Sequence, residues 1–140
     1  MDSIFLIDSD HAYGLVTRLS LIGWIGYVGS TPVYWGSMRQ GSIASSTYAD
    51  EFYALRTATE EAQNLRYMLR CIGCNVPSDG SCPTKIFGDN LSVILNAQHP
   101  AADLSKKHVA ISFHVVRETV AAGIIEPYWL RGIYNTIHLI

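Results

Sequence analysis

Ile4-Phe5-Leu6-Ile7-Asp8 is a run of four apolar side chains closed by a carboxylate, and a similar arrangement returns at Ile86-Phe87-Gly88-Asp89. A continuous apolar run suits a strand covered on both faces, as in the middle of a sheet. Two such runs ending in acids set two carboxylates at the ends of buried strands. A third acid, Glu51, opens the longest helical pattern in the chain. Carboxylates held on rigid elements form a pocket for hard divalent cations, which take oxygen ligands. Two such cations about 3.5–4 Å apart drive phosphodiester hydrolysis by activating a water and stabilising the leaving oxygen.

Working outward from these runs, residues 9–20 read as a polar loop containing Gly14. Residues 22–29 set bulky β-formers between glycines and predict a second strand, Gly29-Ser30-Thr31-Pro32 a turn, and residues 33–38 a third strand. The short connections predict an antiparallel meander of the first three strands. The period then changes. Thr47 followed by Asp50 fits a capping box, with Asp50 as the cap and Glu51 on another face. Phe52, Leu55, Ala58, Ala62, Leu65 and Leu69 follow at steps of three and four, one face of a helix reaching about Arg70 and stopped by Gly73. Glu60, Glu61 and Arg66 fall off that stripe and read as a solvated face.

Residues 75–83, with Pro77, Gly80 and Pro83, read as an irregular loop, and residues 84–88 as a fourth strand. A strand reached through a helix normally pairs parallel with an earlier one. Helices are expected over 90–98, broken by His99-Pro100, and over 106–122, where Val109, Phe113, Val116 and Val120 share a face and His114 lies near it as a partly buried structural residue. Residues 124–130 predict a last strand, and Pro127 puts it at a sheet edge. The order β-β-β-α-β-α-α-β describes an α/β chain, a mixed sheet with helices packed on it. In it the first and fourth strands lie side by side, Asp8 and Asp89 project from the same end, and Glu51 reaches them if the first helix crosses the central strands.

At 140 residues with 49% apolar and 16% charged side chains, the composition is that of one globular domain. The formal net charge of -2 argues against a general polyanion binder, although two bound Mg²⁺ ions would add about four positive charges where a phosphate sits. No run of 18 apolar residues predicts a membrane helix, and Met1-Asp2-Ser3 lacks the basic start of a signal peptide, so an intracellular protein is expected. Cys71 and Cys74 form a C-x-x-C and Cys82 follows, but a fourth zinc ligand at ordinary spacing is missing and Cys71 is expected on the apolar side of a helix end. Asp10 reads either as a loop acid facing water or as a carboxylate supporting the ligands. Trp24, Tyr34 and Trp35 read as core or sheet-face residues.

Several motifs in order give the chain a resemblance. Ile7-Asp8-Ser9-Asp10-His11-Ala12, then Arg18, Ser20 and Gly23, then Tyr34-Trp35-Gly36-Ser37 with Arg39-Gln40, are similar to motifs of the ribonuclease H domain of copia-type retrotransposon polyproteins. So are Ile43-Ala44 and Ser46-Thr47 leading to Glu51-Phe52 and Ala54-Leu55, Asp89-Asn90 with Ser92-Val93, Lys106-Lys107-His108, and His114 with Arg117-Glu118. Each motif alone is weak, but their order and spacing over residues 4–136 are specific. The resemblance implies a ribonuclease H-like fold, a five-stranded mixed sheet flanked by helices. It implies two Mg²⁺ ions (Mn²⁺ in their place) held by Asp8, Glu51 and Asp89, and hydrolysis of the RNA strand of an RNA/DNA hybrid. It implies Arg39, Lys106, Lys107 and His108 as candidate backbone contacts, and the reverse transcriptase domain of the same polyprotein as partner. The expected place is a cytoplasmic virus-like particle or the nucleus.

The end departs from the family pattern. Asn135-Thr136 look like the start of its N-x-A-D-x-x-T-K segment, but His138 stands where a fourth acid is expected. The resulting expectation is a single domain over residues 1–140, truncated or altered after about 136, without the final helix and with His138 as a candidate substitute ligand. The alternative function is a catalytically decayed domain of the same fold that serves binding only.

Overall fold

A computed structural model describes residues 2–10, 19–41, 47–99 and 110–131. In chain order its elements are β1 (Ser3–Asp10), β2 (Leu21–Val28), β3 (Thr31–Arg39), α1 (Thr47–Cys71), β4 (Thr84–Gly88), α2 (Leu91–Gln98), α3 (Ala110–Ala121) and β5 (Ile125–Trp129). The five strands form one sheet in the order β3-β2-β1-β4-β5. β1, β2 and β3 pair antiparallel, while β1 with β4 and β4 with β5 pair parallel. This is the expected ribonuclease H-like α/β architecture, with the two apolar runs as neighbouring inner strands and Pro127 on an edge strand.

The connection between β2 and β3 is tighter than expected. Val28 pairs with Thr31, so only Gly29 and Ser30 turn the chain, and β3 already begins at Thr31. Gly29 has φ 61, the left-handed region that a two-residue hairpin needs and that glycine enters without a Cβ penalty.

The core lies between one face of the sheet and the helices. Phe5, Ile7, Ile22, Trp24, Ile86 and Ile125 from the strands meet Phe52, Leu55, Ala58, Ala62 and Leu65 of α1, Val93 and Ala97 of α2, and Phe113 and Val116 of α3. The fully buried alanines of α1 let its backbone lie close to the sheet. Gly36 serves the same packing from the strand side, because a Cβ there would stand 2.5 Å from the Trp24 ring. Phe52 and Phe113 stack at 5.2 Å and tie α1 to α3. Trp24 is therefore a core residue and Tyr34 packs against the core, whereas Trp35 is a sheet-face residue, 70% exposed.

Both long helices end in the same device. Cys74 N–H donates to Leu69 O and Gly73 N–H to Arg70 O, the paired bonds of a Schellman motif, and Ile124 and Gly123 repeat them on Thr119 and Val120. The stop assigned to Gly73 is thus observed, and Gly123 ends α3 in the same way. Arg117 of α3 donates to the Asn96 and His99 carbonyls at the end of α2 and covers the Phe113 ring at 3.8 Å.

Three expectations need correction. Arg66 is not on a solvated face. It is 2% exposed and donates to Cys82 O at 2.8 Å, Thr84 Oγ1 at 3.2 Å and Pro77 O at 2.5 Å. The 75–83 loop folds back over the end of α1 and covers Arg66 there. Glu61 of the same group is half-buried and accepts from Tyr34 Oη at 2.6 Å. Cys71 is exposed, not on the apolar side of its helix end, and His114 is exposed because the buried face of α3 is the one carrying Ser112, Phe113, Val116 and Thr119. Asp50, read as the cap, is 0% exposed. The Thr47 side chain and residues 106–109 of the expected third helix lie outside the described residues. Among the described residues no helix is long and apolar enough to cross a membrane.

Candidate active site

β1 and β4 run parallel with Leu6 beside Phe87, and two residues further along that register bring Asp8 beside Asp89. The sheet therefore carries both acids to one end of its two inner strands. α1 crosses β1, β4 and β2 on the core face, and its fifth residue, Glu51, comes over the same end. One carboxylate oxygen from each of Asp8, Glu51 and Asp89 lies within 4.8 Å of the others. Among the described residues this is the only group of three or more His, Cys, Asp or Glu side chains to converge so; Cys71, Cys74 and Cys82 form no such group.

The electrostatics follow from the placement. Asp8 and Asp89 are partly exposed, while Glu51 is 7% exposed. Burial raises the Glu51 pKa to about 8, and the negative charges of Asp89, Asp8 and Asp50 push the same way. The Ser9 hydroxyl acts against them by favouring the ionised carboxylate. That hydroxyl is itself buried and completes no well-aligned hydrogen bond, so it is a donor held next to Glu51 with capacity to spare.

The supports of the three acids differ. Asp8 is held by the sheet, opposite Gly23 of β2. Glu51 is held by the first turns of α1, where Tyr48 packs on Phe52 and accepts from Asn96 Nδ2 at 2.8 Å, and where Gln40 Nε2 reaches Asp50 O at 3.4 Å. Asp89 lies in the short link from β4 to α2. Asn90 caps α2, its Oδ1 accepting from Val93 N–H at 3.2 Å, and Trp129 Nε1 donates to Asp89 O at 3.0 Å from β5.

Three converging carboxylates with a buried member that holds its proton make an oxygen-only, negatively charged donor set. That set fits a hard divalent cation of the Mg²⁺ class, whose charge would offset the mutual repulsion of the acids. Arg39, expected near a substrate, ends β3 on the surface, paired in register with Leu21. Asp10 ends β1, and its side chain lies outside the described residues, as do Lys106, Lys107, His108 and His138. Reading the residues in order missed Ser9, Asn90 and Trp129. Asn90 before an apolar stretch was a legible cap signal. Alternation along β1 turns Ser9 to the face opposite Asp8, toward α1. Trp129 had no local signal, because its partner is 40 residues away.

No family model matches the chain. The retrovirus-related Pol polyprotein from transposon RE2 of Arabidopsis thaliana is 27% identical over 116 residues, which cover 83% of this chain and 8% of that protein. The corresponding polyprotein from transposon RE1 matches to the same extent. The chain thus spans a small part of the curated relatives it matches. Among solved structures, ribonuclease H1 from Halobacterium salinarum NRC-1 superposes with a TM-score of 0.69 at 16% identity, covering 96% of this chain and 89% of that one. The foamy viral protease-reverse transcriptase in complex with an RNA/DNA hybrid gives 0.67 at 13% identity, covering 97% of this chain and 18% of that one. The fold is that of ribonuclease H, and the chain resembles the ribonuclease H domain of copia-type retrotransposon Pol polyproteins.

Proposed function

We propose that this chain is the ribonuclease H module of a retrotransposon-type Pol polyprotein and hydrolyses the RNA strand of RNA/DNA hybrids with two divalent cations held by Asp8, Glu51 and Asp89. The observation that carries the reading is the convergence of the three carboxylates within 4.8 Å at the shared end of two parallel inner strands. When bound, Mg²⁺ or Mn²⁺ supplies charge against the phosphate, an activated water and stabilisation of the leaving 3′ oxygen. The residues do the rest. Asp8 and Asp89, fixed by neighbouring strands, anchor the ions at the sheet end. Glu51 keeps its proton below about pH 8 in the metal-free site and gives it up when a cation enters.

Recognition of the hybrid falls to the surface around the acids. Arg39 at the end of β3, together with Lys106, Lys107 and His108, supplies the backbone contacts in this reading; such contacts set register without reading sequence. The 2′-hydroxyls and groove shape distinguish the RNA strand. The likeness to the RE2 polyprotein and to part of the foamy viral protein supports a reverse transcriptase domain as neighbour in the same polyprotein. The proposed place of action is a cytoplasmic virus-like particle or the nucleus.

Cleavage of an end-labelled RNA/DNA hybrid by the purified chain in Mg²⁺ and in Mn²⁺, beside its Asp89→Asn variant, tests this. Cation-dependent cutting of the RNA strand that the variant loses is the expected result. A folded chain that binds hybrid and does not cut it would establish the alternative, a domain retained for binding.

A further inference from the structure

At the end of the sheet where the acids meet, the inner strands finish on carboxylates and the edge strand finishes on an indole. Asp8 belongs to β1, Asp89 directly follows β4, and Trp129 is the last residue of β5. Trp129 pairs in register with Gly88, one strand spacing, about 4.8 Å, from the chain that carries Asp89. Its Nε1–H donates to the Asp89 carbonyl at 3.0 Å, and the next residue, Leu130, donates its N–H to Gly88 O at 2.8 Å. β5 thereby braces the link between β4 and α2 from the side. An indole has one donor, and here it is spent on the backbone of a candidate ligand.

The ring is not there to fill the core. Trp129 stands outside the core cluster and is 47% exposed. The conjunction needs explaining: a large aromatic, oriented by a hydrogen bond to the backbone of Asp89, with half its surface open at the sheet end where the acids meet. A nucleic-acid strand whose phosphate sits over those carboxylates has its neighbouring nucleotide within reach of the next strand end. Stacking on an aromatic face holds a base or sugar without reading its identity. It also supplies attraction that a chain of net charge -2 obtains poorly from its cationic side chains.

The geometry points to Trp129 as both a positioning residue and a substrate contact: its N–H fixes the backbone that presents Asp89, and its exposed face stacks on the nucleotide flanking the scissile phosphate. The stacking half rests on the functional reading above; the positioning half rests only on the three acids binding a cation.

Two substitutions separate the halves. Trp129→Phe keeps a flat ring and removes the donor; Trp129→Ala removes both. Mn²⁺ affinity is read by calorimetry without nucleic acid. Hybrid affinity is read by fluorescence anisotropy in Ca²⁺, used to suppress cleavage. Trp129→Phe is expected to bind Mn²⁺ about 10-fold more weakly, the scale seen when a partner of a metal ligand is lost, and to keep hybrid affinity within about threefold of the difference that metal loss alone produces. Trp129→Ala is expected to lose a further 10-fold or so in hybrid affinity, the scale of one aromatic stack. Tyr67→Ala, an exposed aromatic lost about 24 Å along α1 from Glu51, is expected to change neither.

Parental Mn²⁺ affinity in a folded Trp129→Phe overturns the positioning role. Hybrid affinity in Trp129→Ala equal to that of Trp129→Phe overturns the stacking role. If Trp129→Ala does not fold, Trp129→Met, apolar but without a flat face, replaces it with the same expectation. A parent chain that binds Mn²⁺ and ignores hybrid defeats the functional reading and the stacking role together, and the Mn²⁺ comparison still decides the positioning role.

Discussion

α1 buries a charged residue near each of its ends, and the protein treats the two in opposite ways. Arg66, near the C-terminal end, is 2% exposed and wrapped by acceptors: two carbonyls and a hydroxyl of the 77–84 segment take its donors, and only its Nε is left over. Glu51, near the N-terminal end, is 7% exposed and is met by two aspartates of its own sign and a serine hydroxyl without a completed bond. Burying a charge is costly unless hydrogen bonds or counter-charge compensate it. At Arg66 the compensation is internal, and the residue is a staple. At Glu51 it is withheld, and the pKa of about 8 records the shortfall. Perturbed carboxylates of this kind mark functional sites more often than structural ones. The helix thus links a finished end to an end whose charge is left for a cation to meet under the proposed function.

The largest expected effect breaks the unfinished end. Asp89→Asn keeps the shape of the side chain while removing its charge. Loss of a ligand at a site whose ions supply several kcal/mol of transition-state stabilisation is expected to lower hybrid cleavage by about 10³-fold or more. Asp8→Asn is expected to do the same. Cleavage rates of the variants in Mg²⁺ check this, and parental activity in either variant would remove that residue from the site.

The next effect breaks the finished end. Arg66→Ala takes one donor from each of Pro77 O, Cys82 O and Thr84 Oγ1 in partly buried surroundings, although Pro77 O keeps Arg70 Nη2 and Thr84 Oγ1 keeps Ser3 Oγ. A cost of about 2–4 kcal/mol in unfolding free energy is expected, measured by urea denaturation. Arg66→Lys is expected to recover only part of it, because one ammonium does not reproduce the reach of the guanidinium fork. Mn²⁺ affinity of the folded fraction is expected to stay at the parental value, since the two ends of α1 do separate jobs. A folded Arg66→Ala that loses Mn²⁺ binding would show that they do not.

Much of this arrangement was legible in the residue order, and the remainder has a common cause. β1 and β4 announce themselves because strands covered on both faces are apolar without alternation, and the helical crossover between them dictates the parallel pair that brings Asp8 to Asp89. Pro127 announces an edge because it lacks a ladder donor. Arg66 was misjudged by the assumption that a charge off the apolar stripe of a helix faces water. The stripe reports only the contact with the sheet. Gln40 meets the start of α1 from one side and the 77–84 segment meets its end from another, and neither contact leaves a period in the helix. His114 is the converse, a residue near the stripe that ends up exposed because the described surroundings of α3 cover only one narrow face. The three acids were readable because each stands next to a strong secondary-structure signal. Ser9 and Trp129 were not, because their roles exist only after distant segments meet.

A smaller effect sharpens the comparison through pH. The Glu51 pKa is about 8 in the folded metal-free chain against 4.5 for the free side chain. Between those values the folded chain holds a proton that the unfolded chain has released, so metal-free stability falls as pH rises through the window and levels off above about 8. Glu51→Gln, which cannot ionise, is expected to abolish that decline and to be more stable than the parent at pH 9 by about 1–3 kcal/mol. Mg²⁺ binds the ionised form, so in saturating Mg²⁺ the folded chain no longer holds that proton and the parent's decline between about pH 5 and 8 is expected to flatten, while the variant gains nothing from the ion. Denaturation at pH 5, 7 and 9 with and without Mg²⁺ measures both. A parent slope unchanged by Glu51→Gln would mean that the proton sits elsewhere.

The smallest effect comes from a charge pair on the same helix that is neither finished nor withheld. Arg56 Nε and Glu60 Oε1 are 2.9 Å apart, one turn from each other, with side chains 33% and 47% exposed. Water already solvates both partners, so the pair gains little from its Coulomb term, and salt screens what remains. Glu60→Gln is expected to change unfolding free energy by at most about 0.5 kcal/mol, less in 0.5 M NaCl, with Mn²⁺ affinity and cleavage unaltered. Arg56→Gln is expected to cost slightly more, because Arg56 Nη1 also donates to the buried Ser112 Oγ at 3.2 Å and so ties α1 to α3. If Glu60→Gln proved as costly as Arg66→Ala, the ordering by burial would fail, and the contrast between the two ends of α1 would need a cause other than desolvation.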